Sequence, residues 1–330
     1  MSPKDEAIDA RDPLVILSSR QLRLTADPAC GGKLRSLVSL RSGQEFFYQD
    51  RRQAFDGRKG YTFHDIGGWD ECFPTVAACR GRTPAGDDYD YADHGLLWQG
   101  AWQAREAGGS LEMAAAVEPL SISFHRRCAF ETDDTLRLDY RIVNRGARPM
   151  PFVYSAHPLL AADEKTRVVF PAGMTRAFNY LAADNFGLAN GTWFDLPGPN
   201  PAGLTGPFCP ERRTFIKLFS GRLAEGRCAV EYPDRDERLV MTFDVNALPH
   251  VGFLAQQGYD GLGDGHFAGE ILLAFEPTTG IGDDVPTCLR TDTLKVLESG
   301  ADRRFWIRLT IERTSETTAA RPAPDVAWPW

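Results

Sequence analysis

The chain has 330 residues, 43% hydrophobic and 25% charged, proportions that permit a large buried core and exclude wholesale disorder. A formal net charge of −8 argues against a nucleic-acid partner, whose phosphates call for a basic surface. No run approaches the roughly 18 apolar residues of a membrane-spanning helix, and the charged N-terminus lacks a signal peptide's apolar stretch, so the expected location is the cytoplasm without a membrane partner.

Taken in chain order, the pattern is one of strands. Residues 21–25, 121–125 and 136–143 alternate apolar and polar side chains with period two, which predicts strands with one face buried. The same alternation returns over residues 167–170, 215–219, 239–243 and 305–311. Turn-forming clusters at 144–146, 195–198 and 260–264 punctuate these runs as hairpin connections would. Residues 197–210, rich in Pro and Gly, predict a long surface loop. No segment carries a sustained helical stripe. With 31 Gly and 22 Pro, the fold class is all-β, with two large sheets packed face to face. One domain over residues 1–330 is expected, with extended tails at 1–15 and 315–330, the latter docking through its two Trp residues onto the body or a second subunit. The seven cysteines are scattered without a CxxC pair and read as free thiols in a reducing compartment.

Chemistry can sit at few places. Of the six histidines, His125 lies inside an alternating strand and reads as structural, and His64, His250 and His266 carry no assignable signal. His94 begins a short apolar run beside Gly95, which allows close backbone approach. His157 ends a strand stopped by Pro158. Glu276 stands at the end of an apolar strand before a Pro-containing turn, where burial would raise a carboxylate toward base-competent pKa values. Each residue also has a structural reading: satisfied histidines, and a glutamate capping turn amides. The loop 67–74 combines Trp69 with the adjacent acids Asp70 and Glu71. An aromatic face for a sugar ring and carboxylates for its hydroxyls would suit a carbohydrate; a tight turn over a strand end is the alternative.

In order and spacing these segments resemble the aldose 1-epimerase, or galactose mutarotase-like, family. The matching features are Phe73-Pro74 with Arg80, His94-Gly95 with Trp102 beyond, His157, and Glu276-Pro277-Thr278-Thr279-Gly280. The resemblance spans about residues 20–312. It implies a large antiparallel β-supersandwich and interconversion of the α and β anomers of an aldose or related derivative, with no metal or organic cofactor. It also implies that Glu276 acts as base and His157 as acid, with His94 assisting, and that Arg80 binds substrate. Departures accompany it: Asp93-His94-Gly95 is shorter than the family's histidine motif, and Ser155-Ala156 replaces the Asn before the second histidine. The family's sugar-binding Asp has no secure counterpart; Asp70, Glu71 and Asp163 are the candidates.

Other readings stay open at this level. A non-catalytic carbohydrate sensor is possible on the same scaffold. A metal-dependent isomerase could use His64, Asp65, Asp93 and His94. A glycoside hydrolase could pair Glu276 with Asp70 or Glu71. The expected partner is a small carbohydrate, and the expected assembly a monomer or homodimer.

Overall fold

The computed structural model describes residues 6–8, 14–52, 54–83, 86, 88–196, 204–261 and 267–315. Within them the alternation is realised as two large antiparallel sheets. One has nine strands, in the order Glu6–Ile8, Gln103–Ala107, Ser110–Val117, Ile122–Thr132, Thr135–Asn144, Asp302–Glu312, Glu237–Phe243, Arg227–Tyr232 and Arg167–Val169. The other has ten: Thr192–Asp195, Arg176–Ala182, Thr214–Ser220, His250–Gln257, Ile271–Thr278, Ser155–Pro158, Trp69–Cys72, Lys33–Ser39, Leu22–Asp27 and Val15–Ser18.

The two sheets pack with their apolar sides together. Phe124, Leu138 and Ile307 from the first sheet and Leu218, Phe253 and Phe275 from the second are at most 1% exposed within one hydrophobic cluster. Burying each such side chain is worth about 1.5–3 kcal/mol. The predicted strands are all present, several a few residues longer than the alternation alone marks.

Two expectations change. The segment 67–74 is not a loop: Trp69–Cys72 is an interior strand paired with Ser155–Pro158. Within the N-terminal stretch expected to be a tail, Glu6–Ile8 pairs with Gln103–Ala107 as the edge of the nine-stranded sheet. The only α-helix among the described residues, Val285–Arg290, is capped by Asp284, whose carboxylate accepts the Thr287 N–H at 2.7 Å. The expected C-terminal docking segment, His266, most of the 260–264 turn and residues 197–203 lie outside the described residues.

What positions the site is register. Residues directly opposite one another in antiparallel strands share a face. One such row crosses the ten-stranded sheet through Trp193, Phe178, Phe219, Gly252 and Glu276. The pairing of Ser155 with Thr278 then sets His157 across from Glu276, His157 opposes Asp70, and the pairing of Leu34 with Trp69 sets Lys33 beside Asp70. The row lies on the face turned away from the nine-stranded sheet. Aromatic residues give way to charged ones along it, with Gly252 between. A Cβ at Gly252 would come 3.2 Å from the Phe219 ring and 3.4 Å from Glu276, so glycine keeps room beside the carboxylate.

Candidate functional site

Glu276 is fully buried. Its Oε2 accepts from Lys217 Nζ at 2.5 Å and from Ser155 Oγ at 3.3 Å. Its Oε1 has no hydrogen-bond partner and lies 4.0 Å from His157 Nε2. Lys217 is itself buried and reaches Asp283 at 3.5 Å. Burial opposes the charge on Lys217, but Asp283 and Glu276 outweigh it and hold its pKa above the ordinary value. Burial pushes Asp283 up to about 6, with Lys217 pulling down and Glu276 pushing up.

A second ion pair lies beyond the histidine. Asp70 Oδ2 accepts from Lys33 Nζ at 2.6 Å and from the Tyr61 hydroxyl at 3.1 Å, while its Oδ1 has no partner. His157 sits between the two pairs. Burial lowers its pKa well below the ordinary imidazole value, and His94, Lys217 and Lys33 add to the effect against Asp70. The ring is therefore neutral at neutral pH.

His94 comes in from the loop between Asp88–Tyr91 and Gln103–Ala107. Its backbone adopts a left-handed conformation with φ 56°, and its N–H donates to the Val76 carbonyl. Gly95 follows at φ 69°, and a Cβ there would stand 2.0 Å from the Phe73 carbonyl oxygen. Only glycine fits that approach. The Leu96 N–H donates to the same carbonyl at 3.0 Å, tying the His-Gly segment to the Phe-Pro one. The His94 ring stacks on Tyr61 at 3.7 Å and stands edge-on to His157 at 5.2 Å, and its Nδ1 lies 2.9 Å from Asp93 Oδ2.

The remaining expected residues go elsewhere. Glu71 neighbours Asp70 but points the opposite way, because side chains alternate along a strand. It enters the core between the sheets, where Arg126 donates to it at 2.7 Å, Tyr140 at 2.9 Å and Tyr154 at 2.7 Å. The expectation that it binds substrate is corrected on that ground. Trp69 shares its direction, is fully buried and meets Phe47 edge-on, so its ring offers no face to a ligand. Asp163 caps its own turn, accepting from Lys165 N, Thr166 N and Thr166 Oγ1 at 2.9 Å each. Arg80 is exposed on the two-stranded ribbon of Cys79–Arg82 and Asp88–Tyr91. Asp65 is engaged by Arg35, and among the described residues no group of three or more His, Cys, Asp or Glu side chains converges as a metal site.

Sequence reasoning passed over Lys33, Tyr61, Lys217 and Asp283. Lys217 did leave a signal. Phe215 and Phe219 share its face while Ile216 and Leu218 fill the other, so a lone lysine stands in a strand apolar on both sides. Tyr61, in a short 3-10 turn, left none.

No protein-family model matches the sequence, and no curated protein sequence matches it. Solved structures do. A Synechocystis sp. PCC 6803 protein superposes with a TM-score of 0.69 over 92% of this chain and 96% of its own, at 17% identity. The chain has the galactose mutarotase-like fold. A protein of Escherichia coli named as a candidate aldose 1-epimerase gives 0.67 at 17% identity, covering 91% of this chain and 99% of that one. A galactose mutarotase-like protein of Lactobacillus casei gives 0.64 at 15% identity, covering 91% and 100%. At these identities the likeness is one of fold. Among the described residues no helix of this mutarotase-like chain is long and apolar enough to cross a membrane.

Proposed function

We propose that the chain interconverts the anomers of an aldose or a close derivative, with Glu276 as base and His157 as acid. The observation that carries this reading is the Glu276 carboxylate. One oxygen is neutralised by Lys217, and the other is buried, without a partner, 4.0 Å from a histidine nitrogen. A buried acceptor left unmet is costly, on the order of 1–3 kcal/mol, and a ligand hydroxyl would meet it.

The steps follow from these groups. Glu276 Oε1 takes the proton of the anomeric hydroxyl, C1 becomes a carbonyl carbon as its bond to the ring oxygen breaks, and His157 Nε2 delivers a proton to that oxygen. Rotation about C1–C2 presents the other face of the aldehyde, and the same transfers in reverse close the ring. As a neutral imidazole, His157 gives up its Nε2 proton and is left as the imidazolate, with the Lys217 and Lys33 charges nearby, until ring closure returns the proton; each proton transfer contributes roughly 10²–10⁴-fold. His94, beside His157, assists at the sugar oxygens, and the free Oδ1 of Asp70 accepts a ring hydroxyl. We take the chain as a single domain acting on a small carbohydrate, as a monomer or homodimer. A cytoplasmic location fits its seven free cysteines.

The test is anomer exchange, followed by polarimetry or NMR saturation transfer, on free aldoses, uronates and sugar phosphates. Glu276→Gln is expected to lower the catalysed rate by roughly 10²–10⁴-fold; an unchanged rate removes Glu276 from the mechanism. One observation favours a non-catalytic sugar sensor instead. The Lys217 ammonium occupies one Glu276 oxygen as a fixed ion pair, an arrangement that suits an acceptor holding a ligand hydroxyl in place. Saturable sugar binding with no exchange above background would establish that alternative.

A further inference from the structure

Lys217 stands between two buried carboxylates and leans on one of them. Its ammonium has three N–H donors, and Glu276 Oε2 takes one at 2.5 Å. Asp283 Oδ1 lies 3.5 Å away, an ion contact too long to give that oxygen a hydrogen-bond partner. Asp283 is held where it is: its carbonyl accepts from Val76 N at 2.9 Å, Ala77 N at 2.8 Å and Thr75 Oγ1 at 3.0 Å. The lysine side chain is the flexible member, and about 0.7 Å of travel brings its ammonium to charge-assisted distance from Asp283, about 2.8 Å. Around Asp283, burial pushes Tyr180, Cys72 and Cys288 up, so these groups stay uncharged. The Asp284 carboxylate is engaged by Thr287 and Tyr180. Lys217, Glu276 and His94 are left as the groups that act on the Asp283 charge.

Two carboxylates therefore share one ammonium, with one negative charge in excess. A proton on Glu276 removes the excess and turns the Lys217 contact into a bond to a neutral acid. Hydrogen bonds to an ionised oxygen are roughly twice as strong as those to a neutral one, so the balance tips to Asp283. Without Asp283 the ammonium would stay buried with no counter-charge, a costly arrangement. We propose that Lys217 is a swinging counter-ion that moves from Glu276 to Asp283 when Glu276 takes the anomeric proton, with Asp283 a positioning residue that receives it. The catalytic consequence rests on the mutarotase reading; the movement of the lysine does not.

The experiment has two arms. Crystal structures of wild-type protein and Glu276→Gln at pH 7.5 compare an ionised residue 276 with a neutral one of the same shape. In Glu276→Gln, Lys217 Nζ is expected within about 3.0 Å of Asp283 Oδ1; an ammonium that stays with residue 276, 3.5 Å or more from Asp283, overturns the proposal. The second arm is anomer exchange as a function of pH, with α-D-glucose or α-D-galactose as probe, whichever the wild type turns over. Burial pushes Asp283 up to about 6, so the wild-type kcat should fall as pH drops through that value and Asp283 takes a proton. Asp283→Asn should lower kcat at pH 7.5 by about 10²-fold with KM within about twofold, and should lose the limb near pH 6. Asp283→Glu, which restores the charge, should recover part of kcat. An unchanged kcat with the limb retained in Asp283→Asn overturns the positioning role. If Asp283→Asn does not fold, the Glu276→Gln structure decides alone. If wild-type protein exchanges no sugar, the mutarotase reading fails, and the structures still decide whether the lysine moves.

Discussion

Two buried acids, adjacent on one strand but turned to opposite faces, carry the lesson of this molecule. Glu71 faces the core between the sheets and is met by three donors from Arg126, Tyr140 and Tyr154. Asp70, one residue earlier, faces outward with Glu276, and each keeps one oxygen that nothing in the described chain meets. Both clusters pair a carboxylate with a buried cation. In the inner one both carboxylate oxygens are met, although Arg126 Nε has no acceptor; burial pushes the Glu71 pKa up, and Arg126 and the tyrosines pull it back. The outer one is open, and on the proposed function its unmet acceptors receive a ligand's hydroxyls. Satisfied polar groups hold a structure together, while groups left short of a partner mark where it is prepared to bind.

That contrast can be broken by mutation. Glu71→Ala strands the Arg126 charge between the sheets and is expected to cost about 3–5 kcal/mol in urea unfolding. Glu276→Gln should cost only about 1 kcal/mol, because Asp283 remains beside Lys217 and glutamine keeps an acceptor oxygen. Equal losses at the two positions would erase the distinction between the inner and outer clusters.

Acid should attack the outer half first. His157 and His250 both lie on the ten-stranded sheet, and burial lowers both pKa values, that of His250 to about 4. A folded-state pKa below the unfolded one near 6.5 means that the unfolded chain binds the proton more readily. Stability is therefore full above about pH 6.5 and falls as pH drops toward 4, with His250 alone contributing about 3 kcal/mol. Urea unfolding between pH 7 and 4.5 measures this, and His250→Gln should flatten the slope. A slope unchanged by that substitution would assign acid sensitivity to other groups.

The smallest effect belongs to Arg80. It stands exposed on a surface ribbon, so Arg80→Ala should change stability by less than about 0.5 kcal/mol, and any effect on exchange should appear in KM alone. A tenfold fall in kcat would bring the ribbon into the catalytic centre.

Much of the fold was legible in the chain because burial on one face writes a period-two pattern. The runs at 121–125, 136–143 and 305–311 announced their strands for that reason. Trp69–Cys72 did not, since it is buried on both sides, and its acids together with the preceding Gly67 and Gly68 read as a loop. In the site, His94, His157 and Glu276 were named from local context and resemblance, and the structure brings them to one face of one sheet. Lys33 and Tyr61 could not be named, because they meet partners 37 and 96 residues away along the chain (Asp70 and His157), and Asp283 could not, because it joins the cluster through Lys217, which lies 59 residues from Glu276. Sequence by itself determined the all-β class, the alternation of faces and a short set of chemically able side chains. Only the tertiary structure decided that Asp70 and Glu71 part company, that two lysines neutralise the outer carboxylates, and that a tyrosine stands behind the histidine. The reason is physical: alternation is a property of neighbouring residues, whereas a hydrogen bond across a sheet exists only once register has been set.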